Sequence, residues 1–93
     1  MFSIKKTKSF EKSFRRIRNS GVKPTIFKDL GFVIDLLASG KSLPPLYKDH
    51  KLTGELSSCR ECHIKGDLLL IYQIKEENLV LILVDIGSHS QLF

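Results

Sequence analysis

The pattern of apolar and polar positions divides the chain into a helical first half and a strand-rich second half. Phe2, Ser3, Ile4 and Lys5 alternate apolar and polar, as in a short half-buried strand. From Lys8 to Ser20 the period lengthens. Phe10, Phe14 and Ile17 recur at spacings of four and three and share one helical face, while Lys8, Lys12, Arg15, Arg16 and Arg18 take the remaining arc. Asn19-Ser20-Gly21 ends this helix, with the glycine available for a left-handed cap. Pro24 suits the first position of a second helix, where its missing N–H costs nothing. Ile26, Phe27, Leu30, Val33, Ile34 and Leu37 then form a broad apolar stripe, closed by Ser39-Gly40. Two helices joined by about four residues predict an antiparallel hairpin.

Residues 40–54 (GKSLPPLYKDHKLTG) read as a long loop, because Pro44-Pro45 forbids regular helix and Gly54 closes the segment. Three strands follow. Leu56–Ile64 alternates imperfectly, with Leu56, Cys62 and Ile64 on one parity and Glu61, His63 and Lys65 on the other. Gly66-Asp67 is a hairpin turn signal. Leu68–Ile74 comes next, then a turn at Glu76-Glu77-Asn78. Leu79–Ile86 is apolar on both parities and reads as a strand buried on both faces. His89–Phe93 remains as a short tail. The sum is an α+β domain: an N-terminal strand, a two-helix hairpin, then a three-stranded antiparallel meander, with the helices packed on the sheet.

The chain has 93 residues, enough for one domain spanning 1–93 and not two. Its longest apolar runs, Leu68–Tyr72 and Leu79–Val84, fall far short of the ~20 residues that cross a bilayer. Phe2–Arg18 is too polar for an export signal. Two cysteines make no disulfide framework. These readings point to a soluble cytoplasmic protein with no membrane partner. The net charge of +5 is uneven: residues 1–28 hold nine basic and one acidic side chain, and residues 29–93 hold six basic and nine acidic. The stripe Lys8, Lys12, Arg15, Arg16 and Arg18 has only Glu11 nearby as a counter-charge. It is either the solvated face of an amphipathic helix or a docking surface for phosphate or an acidic protein.

All three histidines sit at element edges: His50 in the long loop, His63 near a strand end and His89 after the last strand. Asp67 occupies the turn beyond His63. In a meander the end of the first strand, the start of the second and the end of the third share one sheet end, so His63, Asp67 and His89 converge there. His50 reaches them only if its loop folds back over a sheet face. Imidazole titrates near neutrality, so a pair can supply a general base and a general acid, as RNA cleavage requires. The plainer alternative is three surface histidines with no joint role. Cys59-Arg60-Glu61-Cys62 is a CxxC with His63 behind it, but no second ligand pair completes a zinc site and the two cysteines have opposite parity. No metal and no cofactor are expected. Phe93 either caps the core or stacks on a base.

Four segments taken together carry a resemblance: Tyr47-Lys48-Asp49-His50-Lys51-Leu52-Thr53-Gly54, Arg60-Glu61-Cys62-His63-Ile64-Lys65-Gly66-Asp67, Leu68-Leu69-Leu70-Ile71-Tyr72 and Gly87-Ser88-His89-Ser90-Gln91-Leu92-Phe93. In order and spacing the chain resembles the YafQ branch of the RelE/ParE superfamily of bacterial type II toxin–antitoxin toxins, most strongly over residues 43–93. The resemblance implies a compact α+β ribonuclease fold and a metal-independent endoribonuclease that cuts mRNA on the ribosome. It places the catalytic set on His50, His63, Asp67 and His89, and an RNA-contact role on Phe93. Glu61 stands where some relatives carry a functional Asp. Lys48, Lys51, Arg60 and Lys65 flank these residues as phosphate-neutralising candidates. Gly66 departs from a Pro common in the family, and Leu68 from a frequent Trp. The resemblance also implies an acidic antitoxin encoded nearby, whose complex with the toxin binds operator DNA. The rival reading is a non-catalytic basic protein that acts on ribosomal RNA or DNA by occupancy.

Overall fold

The computed structural model describes residues 1–93. In chain order it comprises β1 (Ser3–Lys6), α1 (Lys8–Arg18), α2 (Pro24–Ala38), β2 (His50–Lys51), β3 (Arg60–Lys65), β4 (Leu68–Lys75), β5 (Val80–Gly87) and α3 (His89–Leu92). Single 3-10 turns lie at Pro45–Tyr47, Gly54–Leu56 and Glu76–Asn78. The strands form one sheet in the order β1-β5-β4-β3-β2. β3, β4 and β5 are the expected antiparallel meander, and β1 joins β5 in parallel, with Ser3 opposite Val80 and Lys6 opposite Leu83.

Both long helices start and stop where their residues dictate. The Thr7 hydroxyl accepts from the Phe10 N–H and caps α1, while α2 opens on Pro24. Phe14 and Phe27 join the helices edge to face, with ring centroids 5.7 Å apart. Phe10 and Ile17 of α1 and Leu30, Val33 and Leu37 of α2 pack onto one sheet face. There they meet Cys62 and Ile64 of β3, Leu70 and Tyr72 of β4, and Leu81, Leu83 and Ile86 of β5. Burial on this face supplies the main apolar driving force for folding.

Three expectations need correction. Residues 40–54 are not all loop: Tyr47 turns its ring into the core, and His50–Lys51 add an edge strand to β3. The first meander strand begins at Arg60 rather than Leu56, because Gly54–Leu56 closes into a 3-10 turn. The deeply buried side chains of β5 are those of Leu81, Leu83 and Ile86 in the helix-side core, while Ile82 and Val84 are half-covered.

Two irregularities aim side chains. The β3–β4 register slips between His63 and Lys65, which leaves Ile64 as an extra residue, and the β4–β5 register slips beside Asp85. At the second slip the Thr7 hydroxyl donates to the Val84 carbonyl at 2.6 Å, so the β1–α1 corner satisfies the kinked strand. No helix is long and apolar enough to cross a membrane.

Candidate active site

The sheet face away from the helices carries the chemistry. Strand alternation puts Glu61 and His63 there, because their neighbours Cys62 and Ile64 belong to the helix-side core. His50 pairs with Glu61 across β2–β3, Glu61 pairs with Ile71 across β3–β4, and Ile71 pairs with Asp85 across β4–β5. A second row runs His63, Leu69, Gly87. His89 follows two residues after Gly87, on the first turn of α3. The helix is set by a capping box in which the Ser88 hydroxyl accepts from the Gln91 N–H and the Gln91 side chain accepts from the Ser88 N–H. Gly87 permits this fold-back, since a Cβ there would stand 2.9 Å from the Gln91 Oε1.

Glu61 is the centre of the cluster. It is only 2% exposed, and its Oε1 lies 3.4 Å from His50 Nε2 and 3.8 Å from His63 Nε2. The two imidazole centroids are 6.4 Å apart. His50 Nδ1 is 2.8 Å from the Lys48 carbonyl oxygen. A carbonyl only accepts, so Nδ1 holds the N–H and Nε2 is the nitrogen turned to the carboxylate. The other carboxylate oxygen, Oε2, is buried without a partner. An acceptor left without any partner at such a position costs about 1–3 kcal/mol.

His50 therefore reaches the site by β pairing at the sheet edge and not by a loop crossing the face. His63 and the half-exposed His50 are gathered by Glu61. Asp67 is exposed in the β3–β4 turn and makes no ion pair or side-chain hydrogen bond; with Lys65, Ser20, Lys23 and Gln91 it lines a hollow beside α3. His89 and Phe93 are neighbours, with ring centroids 5.2 Å apart. Phe93 is 57% exposed, so it does not cap the core. Lys48, Lys51 and Lys65 are exposed at the rim, and Lys65 Nζ lies 3.7 Å from Asp29. The five docking candidates of α1 are all exposed. Arg15 and Arg18 also border a groove of about 560 Å³ between the long helices, floored by Phe10, Phe14, Phe27 and Ile34.

Arg60 points elsewhere. Its Nε and Nη2 donate to the two Asp49 carboxylate oxygens at 3.2 and 3.3 Å, and the Tyr72 hydroxyl donates to Asp49 at 2.5 Å. Asp49 and Tyr72 were not singled out from the sequence. The clue available there was an aspartate beside a histidine in a segment with few other anchors. The hydrogen bonds that Arg60 donates to Asp49 raise the pKa of its guanidinium. Burial, aided by the same carboxylate, raises the Tyr72 phenol. Burial also pushes the Cys62 thiol up to about 12, and Cys59 is buried and free as well, so the CxxC holds two inert thiols. No three His, Cys, Asp or Glu side chains come together as a group able to hold a metal ion.

The model of a bacterial toxin of type II toxin–antitoxin systems, YafQ, matches residues 2–93. The chain is a member of the YafQ family. A Haemophilus influenzae protein bearing the YafQ name is 45% identical over 60 residues, 62% of this chain and 59% of that protein. The mRNA interferase toxin YafQ of Escherichia coli K12 is 37% identical over 51 residues, 55% of this chain and 53% of that toxin. The chain thus spans between half and three fifths of the length of these curated relatives. Among solved structures, a metal-bound toxin from Helicobacter pylori superposes with a TM-score of 0.89 at 45% identity, covering both chains completely. YafQ in the Escherichia coli DinJ–YafQ complex gives 0.86 at 26% identity over 100% of this chain and 99% of that one. This YafQ-family fold is the α+β arrangement of the RelE/ParE superfamily, with its ribonuclease-like sheet.

Proposed function

We propose that residues 1–93 act as one toxin domain: a ribosome-dependent mRNA endoribonuclease that inhibits translation through histidine and carboxylate acid–base chemistry. The observation that carries this reading is the buried Glu61 carboxylate set between His50 and His63, with one oxygen left without a partner. A relative, the Escherichia coli K12 YafQ, is an mRNA interferase toxin, which supports the reaction class.

The chemistry needs no group outside the chain. One imidazole takes the proton of a ribose 2′-hydroxyl. The 2′-oxygen attacks phosphorus, the bond to the 5′-oxygen breaks, and a second imidazole protonates that oxygen. The products are a 2′,3′-cyclic phosphate and a 5′-hydroxyl. His50 and His89 are assigned as the proton-transfer pair. His63 and Asp67 position the phosphate, and Glu61 orients the His50 and His63 rings. Lys48, Lys51 and Lys65 offset the extra phosphate charge, and Phe93 stacks on a base.

The exposed stripe of Lys8, Lys12, Arg15, Arg16 and Arg18 docks on ribosomal RNA in the free toxin and on an acidic antitoxin in the silenced one. The DinJ–YafQ complex of a relative supports the antitoxin partner, and operator DNA would be bound through that pair. The test is primer extension on ribosome-bound mRNA incubated with the wild type and with His89→Ala. Discrete ends that vanish in the variant support the nuclease. Uncut message with arrested translation would falsify it in favour of a binder that acts by occupancy.

A further inference from the structure

We propose that Asp49, Arg60 and Tyr72 form a positioning clamp that holds β2 in register and thereby aims His50 at Glu61. The proposal rests on the nuclease reading for its consequence and on geometry alone for its existence.

β2 has only two residues, both exposed, and pairs on one side only, His50 with Glu61 and Lys51 with Arg60. An isolated pairing of this length has little stability of its own. It is entered through Lys48, whose φ of 50° is left-handed, so the preceding chain does not run on as regular structure into the strand. Register matters strongly here. A slip of one residue would turn His50 to the helix side and put Asp49 or Lys51 against Glu61.

Asp49 prevents that slip. Successive residues of an extended chain point to opposite faces, so Asp49 grips from the side away from His50. Its two carboxylate oxygens take a fork from Arg60, and one also takes the Tyr72 hydroxyl. Arg60 and Tyr72 are themselves opposite one another across β3–β4, so the anchor reaches two strands into the sheet. Tyr72 is 1% exposed and cannot shift. The Arg60 guanidinium is thus committed to the sheet and is reassigned from phosphate contact to positioning.

The test compares the wild type with Asp49→Ala, Asp49→Asn and Tyr72→Phe by two measurements. The first is the nuclear Overhauser effect between the His50 and His63 rings. The second is steady-state cleavage of ribosome-bound mRNA. The clamp requires that Asp49→Ala abolish the ring-to-ring signal and lower kcat by about tenfold with KM changed less than about twofold, as expected for a misplaced catalytic group. Asp49→Asn keeps an acceptor oxygen and recovers part of both. Tyr72→Phe keeps the packed ring, so it reads the clamp even if Asp49→Ala does not fold. It should weaken the ring-to-ring signal and speed amide exchange at the β2–β3 pairs while β4–β5 exchange stays slow. A signal and a kcat that persist in either folded variant overturn the clamp. The ring-to-ring signal decides it without reference to activity, so a wild type that cuts no RNA overturns the nuclease reading alone.

Discussion

Glu61 faces His50 across the β2–β3 ladder, and its buried Oε1 stands 3.4 Å from the imidazole Nε2 while also reaching toward His63. One carboxylate therefore governs two rings. Replacing Glu61 with Gln keeps the shape and removes the charge. Cleavage should fall by about tenfold or more, and stability should change by no more than about 1 kcal/mol. Rate measurements beside a denaturant titration separate the two effects, and an unchanged rate would remove Glu61 from the mechanism.

The β3–β4 hairpin turns on Gly66, whose φ of +59° is left-handed, while Asp67 keeps a negative φ. This fits a two-residue turn with glycine first. The space around Gly66 is open, so the backbone angle alone makes the demand. Gly66→Ala should cost about 1 kcal/mol. Gly66→Pro should cost more, because proline fixes φ near about −65°. A proline variant as stable as the wild type would mean that the turn had changed type and carried Asp67 with it.

Alkaline pH should weaken the fold. Burial pushes the Cys62 thiol up to about 12, from an ordinary value of 9.0. Above the lower value the unfolded chain sheds this proton and the folded chain keeps it. Stability therefore falls as pH rises between the two, by at most about 1.4 kcal/mol per pH unit for this group. Cys62→Ala should flatten the decline in unfolding experiments above about pH 9. An equal slope in the variant would assign the decline to other groups, Tyr72 first among them.

Exposed cations on α1 predict a salt signature. Arg15 and Arg18 border the groove between the helices and have no acidic side chain within ion-pair distance. Changing both to Gln should weaken ribosome binding and flatten its dependence on salt, by about 0.7–0.9 in log–log slope for each phosphate no longer neutralised. Binding isotherms at several salt concentrations measure this. A slope identical to the wild type would move docking away from α1.

Local period was enough to find β1, the two long helices and the three meander strands. The 3.6-residue stripes through Phe10 and Leu30 and the alternation through Cys62 and Ile64 state which face is apolar, and the helix and strand bounds followed within a few residues. The parity that put Glu61 and His63 on the same face came from the same signal. β2 was not legible, because two residues after a pair of prolines show no period. Its existence depends on Arg60 and Tyr72, which lie 11 and 23 positions from Asp49. The exposure of Phe93 was equally hidden, since α3 is set by a four-residue capping box and a glycine that lets it fold close. Partners so distant, or corners so short, leave no pattern in a window of sequence.

The pairing of β1 with β5 has a consequence for synthesis. Ser3 waits for Val80, so β1 lacks this partner until β5 has been made. β5 in turn is the only neighbour of β1 and the bridge to β4. Closing so long a loop is slow compared with forming local helices. A nascent chain therefore emerges with the residues of α1 exposed and its sheet unfinished, before the strands that gather His50, Glu61 and His63 can all pair.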